Sequence, residues 1–142
     1  MGLVLDASAT LAWLLERVDP VEFQLADQIL QSIQTSDGLV PPLWFSEVAN
    51  GVLVAERRAG VSPSTSTSFM AFVDTLPIAE DATRLASTQA QVLTLARAYN
   101  LTTYDATYLE LVLRTGREFA TFDRELADAV RRAGGRVFGD PA

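Results

Sequence analysis

Four acidic residues sit where their surroundings could give them chemistry to do: Asp6, Glu47, Asp105 and Asp123. Asp6 closes the apolar run Gly2-Leu3-Val4-Leu5, and Asp123 follows Ala120-Thr121-Phe122. Glu47 lies three residues after Trp44 and four before Gly51, on the edge of a helix's apolar stripe rather than on its solvated back, and Asn50 projects from the same side. Clustered carboxylates repel and raise one another's pKa unless a cation stands among them, and their hard oxygen donors suit Mg²⁺ or Mn²⁺. Each acid also has a purely structural explanation. Asp6 and Asp123 precede helices and could be N-caps worth about 1 kcal/mol each, and a first-turn aspartate such as Asp105 is favoured by the helix dipole.

The rest of the composition leaves little other chemistry. The chain of 142 residues has no Cys and no His, which excludes a disulfide framework, zinc or haem ligand sets, a thiol nucleophile and a Ser-His-Asp triad. All 11 basic residues are Arg, so a phosphate-loop lysine and a Schiff base are excluded as well. The net charge of −7 and a pI near 4.4 argue against holding nucleic acid by bulk charge. Residues 1–56 carry eight acids against Arg17 alone, whereas residues 57–142 carry ten charges of each sign. No stretch approaches the roughly 18 apolar residues of a membrane span, and the expected location is cytoplasmic.

Elements that could position these acids follow from the apolar spacing. Gly2 to Leu5 reads as a buried strand, followed by a helix over Ala7 to Leu15. A helix capped by Asp19-Pro20 runs to Gly38, Leu39-Val40 is a short strand or extended link, and a helix from Pro42 to about Arg58 stops at Gly60. The biased tract Ser62 to Ser68 could be a capped helix start or a loop. Leu76 to Ala79 is a short strand or bend, and Asp81 is expected to cap a helix reaching Tyr99. Further helices span Thr103 to Thr115 and the residues up to Ala133, with strands at Glu118 to Phe122 and Arg136 to Phe138. Strand and helix alternate over short links, so the expected fold is one α/β domain over residues 1–142 with a mainly parallel sheet. Ligands in such folds sit outside the carboxyl ends of the strands, where Asp6 and Asp123 fall.

The local sequences are more specific than this pattern. Leu3-Val4-Leu5-Asp6-Ala7-Ser8-Ala9, Pro42-Leu43-Trp44-Phe45-Ser46-Glu47-Val48-Ala49-Asn50, Tyr104-Asp105-Ala106-Thr107-Tyr108-Leu109 and Ala120-Thr121-Phe122-Asp123-Arg124-Glu125-Leu126 together resemble the PIN-domain ribonucleases, and in detail the VapC-type toxins of type II toxin-antitoxin pairs. The resemblance covers essentially the whole chain. It implies a PIN-like three-layer α/β/α sandwich, one or two divalent metals (Mg²⁺, with Mn²⁺ as substitute) and endonucleolytic cutting of RNA, tRNA or rRNA being the expected substrates. By matching position, it implies that Asp6, Glu47 and Asp105 are the principal metal carboxylates and that Asp123 completes the site directly or through water. Ser8 and Thr121 match small hydroxyl positions that orient ligands or waters, and Asn50 matches a polar position beside the glutamate.

The same resemblance implies a cognate VapB-type antitoxin and a homodimer or toxin-antitoxin hetero-oligomer. Trp13, Trp44, Phe69 and Phe72 could line the antitoxin's groove or be core. Without histidine, hydrolysis by a metal-activated water is preferred over attack by the neighbouring 2′-hydroxyl. The alternative is a PIN-like module that binds RNA or protein without cutting. Acyl-phosphate phosphatases and receiver domains are disfavoured, because both normally need a lysine. Arg57, Arg58, Arg131 and Arg132 stand at helix C-termini, where the dipole alone favours arginine.

Overall fold

In the computed structural model, which describes residues 1–141, the short apolar runs pair into one sheet and the periodic segments become helices. The strands are β1 (Leu3–Leu5), β2 (Gly38–Val40), β3 (Ile78–Glu80) and β4 (Phe119–Ala120). The helices are α1 (Ala7–Leu11), α2 (Pro20–Thr35), α3 (Leu43–Ala59), α4 (Pro63–Asp74), α5 (Leu85–Tyr99), α6 (Thr103–Thr115) and α7 (Arg124–Arg132). All strand pairs are parallel and the order is β3-β2-β1-β4, with helices flanking the sheet in a three-layer α/β/α arrangement.

Parallel strands covered on both faces read as continuous apolar runs, and Leu3, Val4 and Leu5 are accordingly all buried. The chain runs from β1 outward to β2 and β3 and returns to place β4 on the other side of β1. The order therefore reverses between β1 and β4, and ligands of open α/β sheets bind at the carboxyl end of such a reversal. Glycine permits two close approaches. A Cβ on Gly2 would overlap the Asp37 backbone where β1 meets β2, and one on Gly51 of α3 would collide with the end of the Leu11 side chain of α1. Helices α3 and α6 end on Gly60 and Gly116 with φ of 70° and 71°, the left-handed cap that glycine adopts without penalty.

Several boundaries differ from the sequence reading. Helix α1 stops at Leu11 rather than Leu15, and the chain turns so that the Trp13 indole donates to the Ala26 carbonyl of α2 at 3.0 Å. Asp81 does not cap α5. That helix begins at Leu85, and Asp81 instead accepts from Arg114 at 2.7 Å. The tract at Ser62 is a capped helix start, its hydroxyl accepting from the Thr65 amide at 3.1 Å. The strand after Leu76 occupies Ile78–Glu80, and β4 is shorter than the expected Glu118 to Phe122. The expected last strand, Arg136 to Phe138, is reduced to a single bridge between Phe119 and Val137. Trp44 and Phe69 are core, Trp13 is half-buried, and Phe72 is exposed.

Arg114 also pairs with Glu110 of its own helix at 2.8 Å, so one guanidinium ties α6 to the loop before α5. Glu110 is 7% exposed, and a buried carboxylate stripped of its partner is costly. Because the arginine end is partly solvated, Arg114→Ala is expected to lower unfolding stability by about 2 kcal/mol. Urea denaturation checks this, and adding Glu110→Gln should recover part of the loss.

Candidate active site

The register of β1 on β4 creates the centre of the acidic edge. Leu5 pairs with Ala120, so the next residues, Asp6 and Thr121, face one another as the strands end. Asp6 is only 5% exposed and serves as N-cap of α1. One carboxylate oxygen accepts from Ser8 Oγ at 2.7 Å and from the Ala9 amide at 2.9 Å, and the other accepts from the Thr121 hydroxyl. Ser8 Oγ in turn accepts from the Phe122 amide at 2.9 Å, and Thr121 Oγ1 accepts from the Asp123 amide at 2.9 Å. Behind Asp6, Thr10 donates to its carbonyl at 2.9 Å while accepting from the Trp44 indole at 3.1 Å, which anchors α3 to the same turn.

Three further acids approach this point from other elements. Asp123 caps α7, accepting from the Leu126 amide at 3.1 Å. Asp105 stands in the first turn of α6, its amide capped by Thr102 Oγ1 at 3.1 Å. Glu47 projects from the half-buried edge of α3 and accepts from the Tyr108 hydroxyl at 2.6 Å. Asn50 is exposed and makes no side-chain hydrogen bond among the described residues.

Charge links these acids into a run. Burial pushes Asp6 up to about 6 against the three donors that favour its ionised form, and the Asp123 charge adds to the rise. Burial raises Asp105 first, followed by the charges of Asp123 and Glu125. Glu47 is raised by burial and by Asp105, with the Tyr108 hydrogen bond opposing. No arginine is among the groups that perturb Asp6, Glu47 or Asp105. A site of carboxylates and hydroxyls matches in donor chemistry what a hard divalent cation takes. As placed, however, no three acidic side chains among the described residues form a group that could hold a metal ion.

Two participants escaped the sequence reading. Tyr108 lies three residues after Asp105, one turn along α6, and that spacing was the available signal. Glu125 lies two residues after Asp123 and adds a fifth negative charge near Asp105. At the helix ends, Arg131 is occupied by Asp128 and Asp140, and Arg132 stacks on Tyr99 at 5.5 Å.

A parallel α/β sandwich with acidic side chains at its strand-order reversal falls in the class of open-sheet α/β domains, whose ligands bind at such reversals. Comparison with known proteins then fixes the family. The PIN domain family matches residues 3–132, and the chain belongs to that family. The crystal structure of PAE2754 from Pyrobaculum aerophilum has the same fold, with a TM-score of 0.65 and 22% identity over 96% of this chain and 83% of that one. No curated protein sequence matches significantly. PIN domains are usually nucleases and generally use divalent metal ions. No helix of the described residues is long and apolar enough to cross a membrane.

The buried Asp6 makes stability depend on pH. Its folded pKa of about 6 exceeds the unfolded 3.8, so the folded state holds the proton more tightly and stability falls as pH rises between those values. The difference corresponds to about 3 kcal/mol. Metal-free protein is therefore expected to lose stability across that window, and Asp6→Asn is expected to flatten the slope, as read by urea titrations at pH 4 to 7.

Proposed function

We propose that the chain is a divalent-metal-dependent endoribonuclease, a VapC-type toxin that cuts tRNA or rRNA and is restrained by a cognate VapB-type antitoxin. The observation that carries this reading is the run Asp6, Asp123, Asp105 and Glu47 at the β1/β4 reversal, none of them in a salt bridge among the described residues. Four ionised acids would repel an incoming phosphate by several kcal/mol per close pair, even at an effective dielectric of about 20. An RNA-cutting role therefore requires countercharge in the crevice. The sequence resemblance supplies the toxin assignment, with homodimers or toxin-antitoxin hetero-oligomers as the assembly.

In this reading Asp6, Glu47, Asp105 and Asp123 hold the cation. Mg²⁺ or Mn²⁺, when bound, supplies an acidified water and a charge clamp for the phosphoryl oxygens. Ser8 and Thr121 lock the Asp6 carboxylate by donating to its two oxygens, leaving its remaining lone pairs fixed in direction. With no histidine in the chain, proton transfer falls to carboxylates and water, and the expected products carry 5′-phosphate and 3′-hydroxyl ends.

The second reading is a non-cleaving PIN-like module that binds RNA or protein. One observation favours it, namely the lack of a ready three-carboxylate group among the described residues. Metal calorimetry combined with RNA cleavage separates the two, because such a module leaves RNA intact at every metal concentration.

Antitoxin-free protein is expected to make discrete cuts in tRNA or total RNA with Mg²⁺ or Mn²⁺ and none with EDTA. Asp6→Asn should be inactive. Asp105→Asn should lose more than about 100-fold in cleavage, since removing merely a hydrogen-bond partner of a metal ligand costs up to that much. The same variant, measured metal-free, should melt no lower than wild type, because one mutually repelling charge is gone. Full cleavage by Asp105→Asn would remove that residue from the site.

A further inference from the structure

The Tyr108 hydroxyl occupies a meeting point that neither helix packing nor capping explains. Its ring is core: the residue is 2% exposed and packs on Phe119 of β4, with ring centroids 5.9 Å apart. Its oxygen nevertheless ends among polar groups, donating to Glu47 Oε1 of α3 at 2.6 Å. The backbone amide of Ala7, next to Asp6, also lies beside the phenol oxygen, and the Asp6 charge reaches it as well. One hydroxyl on α6 thus touches the elements that carry two of the other site acids. Asp105, on the same helix, sits one turn before it.

A buried tyrosine needs a partner for its hydroxyl, but an ordinary satisfied phenol bonds a backbone carbonyl or water at little consequence. Here the partner is a carboxylate that projects from a different helix and belongs to the acidic run. A charge-assisted hydrogen bond of this length is about twice as strong as a neutral one. It occupies one oxygen of Glu47, and no side chain among the described residues donates to the other. Glutamate has three rotatable side-chain bonds, and without the phenol its half-buried carboxylate would be free to turn toward solvent.

We propose that Tyr108 is a positioning residue, its hydroxyl fixing the Glu47 carboxylate at the orientation in which its free oxygen serves the divalent cation. The inference rests on the metal-site reading above. It goes beyond that reading by assigning the order of Glu47 to a residue that touches neither cation nor RNA. It also makes the rigid α6 the common support of Asp105 and Glu47, although Glu47 belongs to α3.

Mn²⁺ calorimetry on the antitoxin-free protein, without RNA, tests the idea on four variants. Tyr108→Phe keeps the ring and is expected to weaken Mn²⁺ binding by about 10- to 100-fold, the usual loss on deleting a partner of a metal ligand. In a Glu47→Gln background the same substitution should have no further effect. Glu47→Asp, one methylene short of the phenol, should lose a similar factor, and it preserves the test if Tyr108→Phe does not fold. A purely structural role would instead lower the melting temperature and leave Mn²⁺ affinity unchanged. Wild-type affinity in Tyr108→Phe or Glu47→Asp overturns the proposal, as does an equal effect of Tyr108→Phe with and without Glu47. Wild-type Mn²⁺ affinity in Glu47→Gln is a separate outcome: it removes Glu47 from the metal site and with it the reading on which the proposal stands.

Discussion

A carboxylate buried at the end of a central strand is the constraint around which the molecule is arranged. Strand β1 is covered on both faces, so the residue at its end, Asp6, is only 5% exposed. An unpaired buried carboxylate is costly unless donors surround it. Ser8, the Ala9 amide and Thr121 provide those donors, and they tie the β1 end, the α1 start and the β4 end into one unit. Thr10 and the Trp44 indole extend the unit to α3. The register of β4 and the docking of α3 are thereby both linked to the treatment of one charge.

Elsewhere the protein deals with its acids differently. Arg117 answers Asp37, Arg114 answers Asp81 and Glu110, Arg131 answers Asp128 and Asp140, and Arg17 answers Glu22. Asp6, Glu47, Asp105 and Asp123 form no such pair among the described residues. Arginine is not scarce nearby, since Arg124 directly follows Asp123. The segregation leaves unpaired acids side by side, with burial and neighbouring charge raising Asp6, Glu47 and Asp105 together. Membership of the PIN family accords with that layout and gives it a nuclease type of chemistry.

The fold was legible to the extent that it depends on local pattern. The Leu3-Val4-Leu5 run, the Asp19-Pro20 and Ser62-Pro63 starts, and the Gly60 and Gly116 stops are each set by neighbours within one turn of chain. Misread boundaries were those that a distant partner decides. Asp81 looks like a cap for the helix that follows, but Arg114, 33 residues away, draws it into an ion pair instead. Helix α1 was expected to continue through Leu15, yet the Trp13 bond to α2 accompanies its early end. The edge position of Glu47 on its helix could be read from Trp44 and Gly51, whereas its phenol partner could not.

By itself the sequence determined which residues could do chemistry. The absence of His, Cys and Lys leaves carboxylates, hydroxyls, amides and arginine, and strand-helix alternation puts Asp6 at a strand end, whereas Asp123, expected at another, lies three residues beyond β4 as the cap of α7. Tertiary structure alone decided which of them meet. Thr121 reaches Asp6 across 115 residues and Tyr108 reaches Glu47 across 61, because the strand order β3-β2-β1-β4 brings β4 back beside β1. Short-range spacing carries information about one helix or strand face, over a few residues. The order of strands is settled by burying many apolar faces at once, and no local window contains that sum.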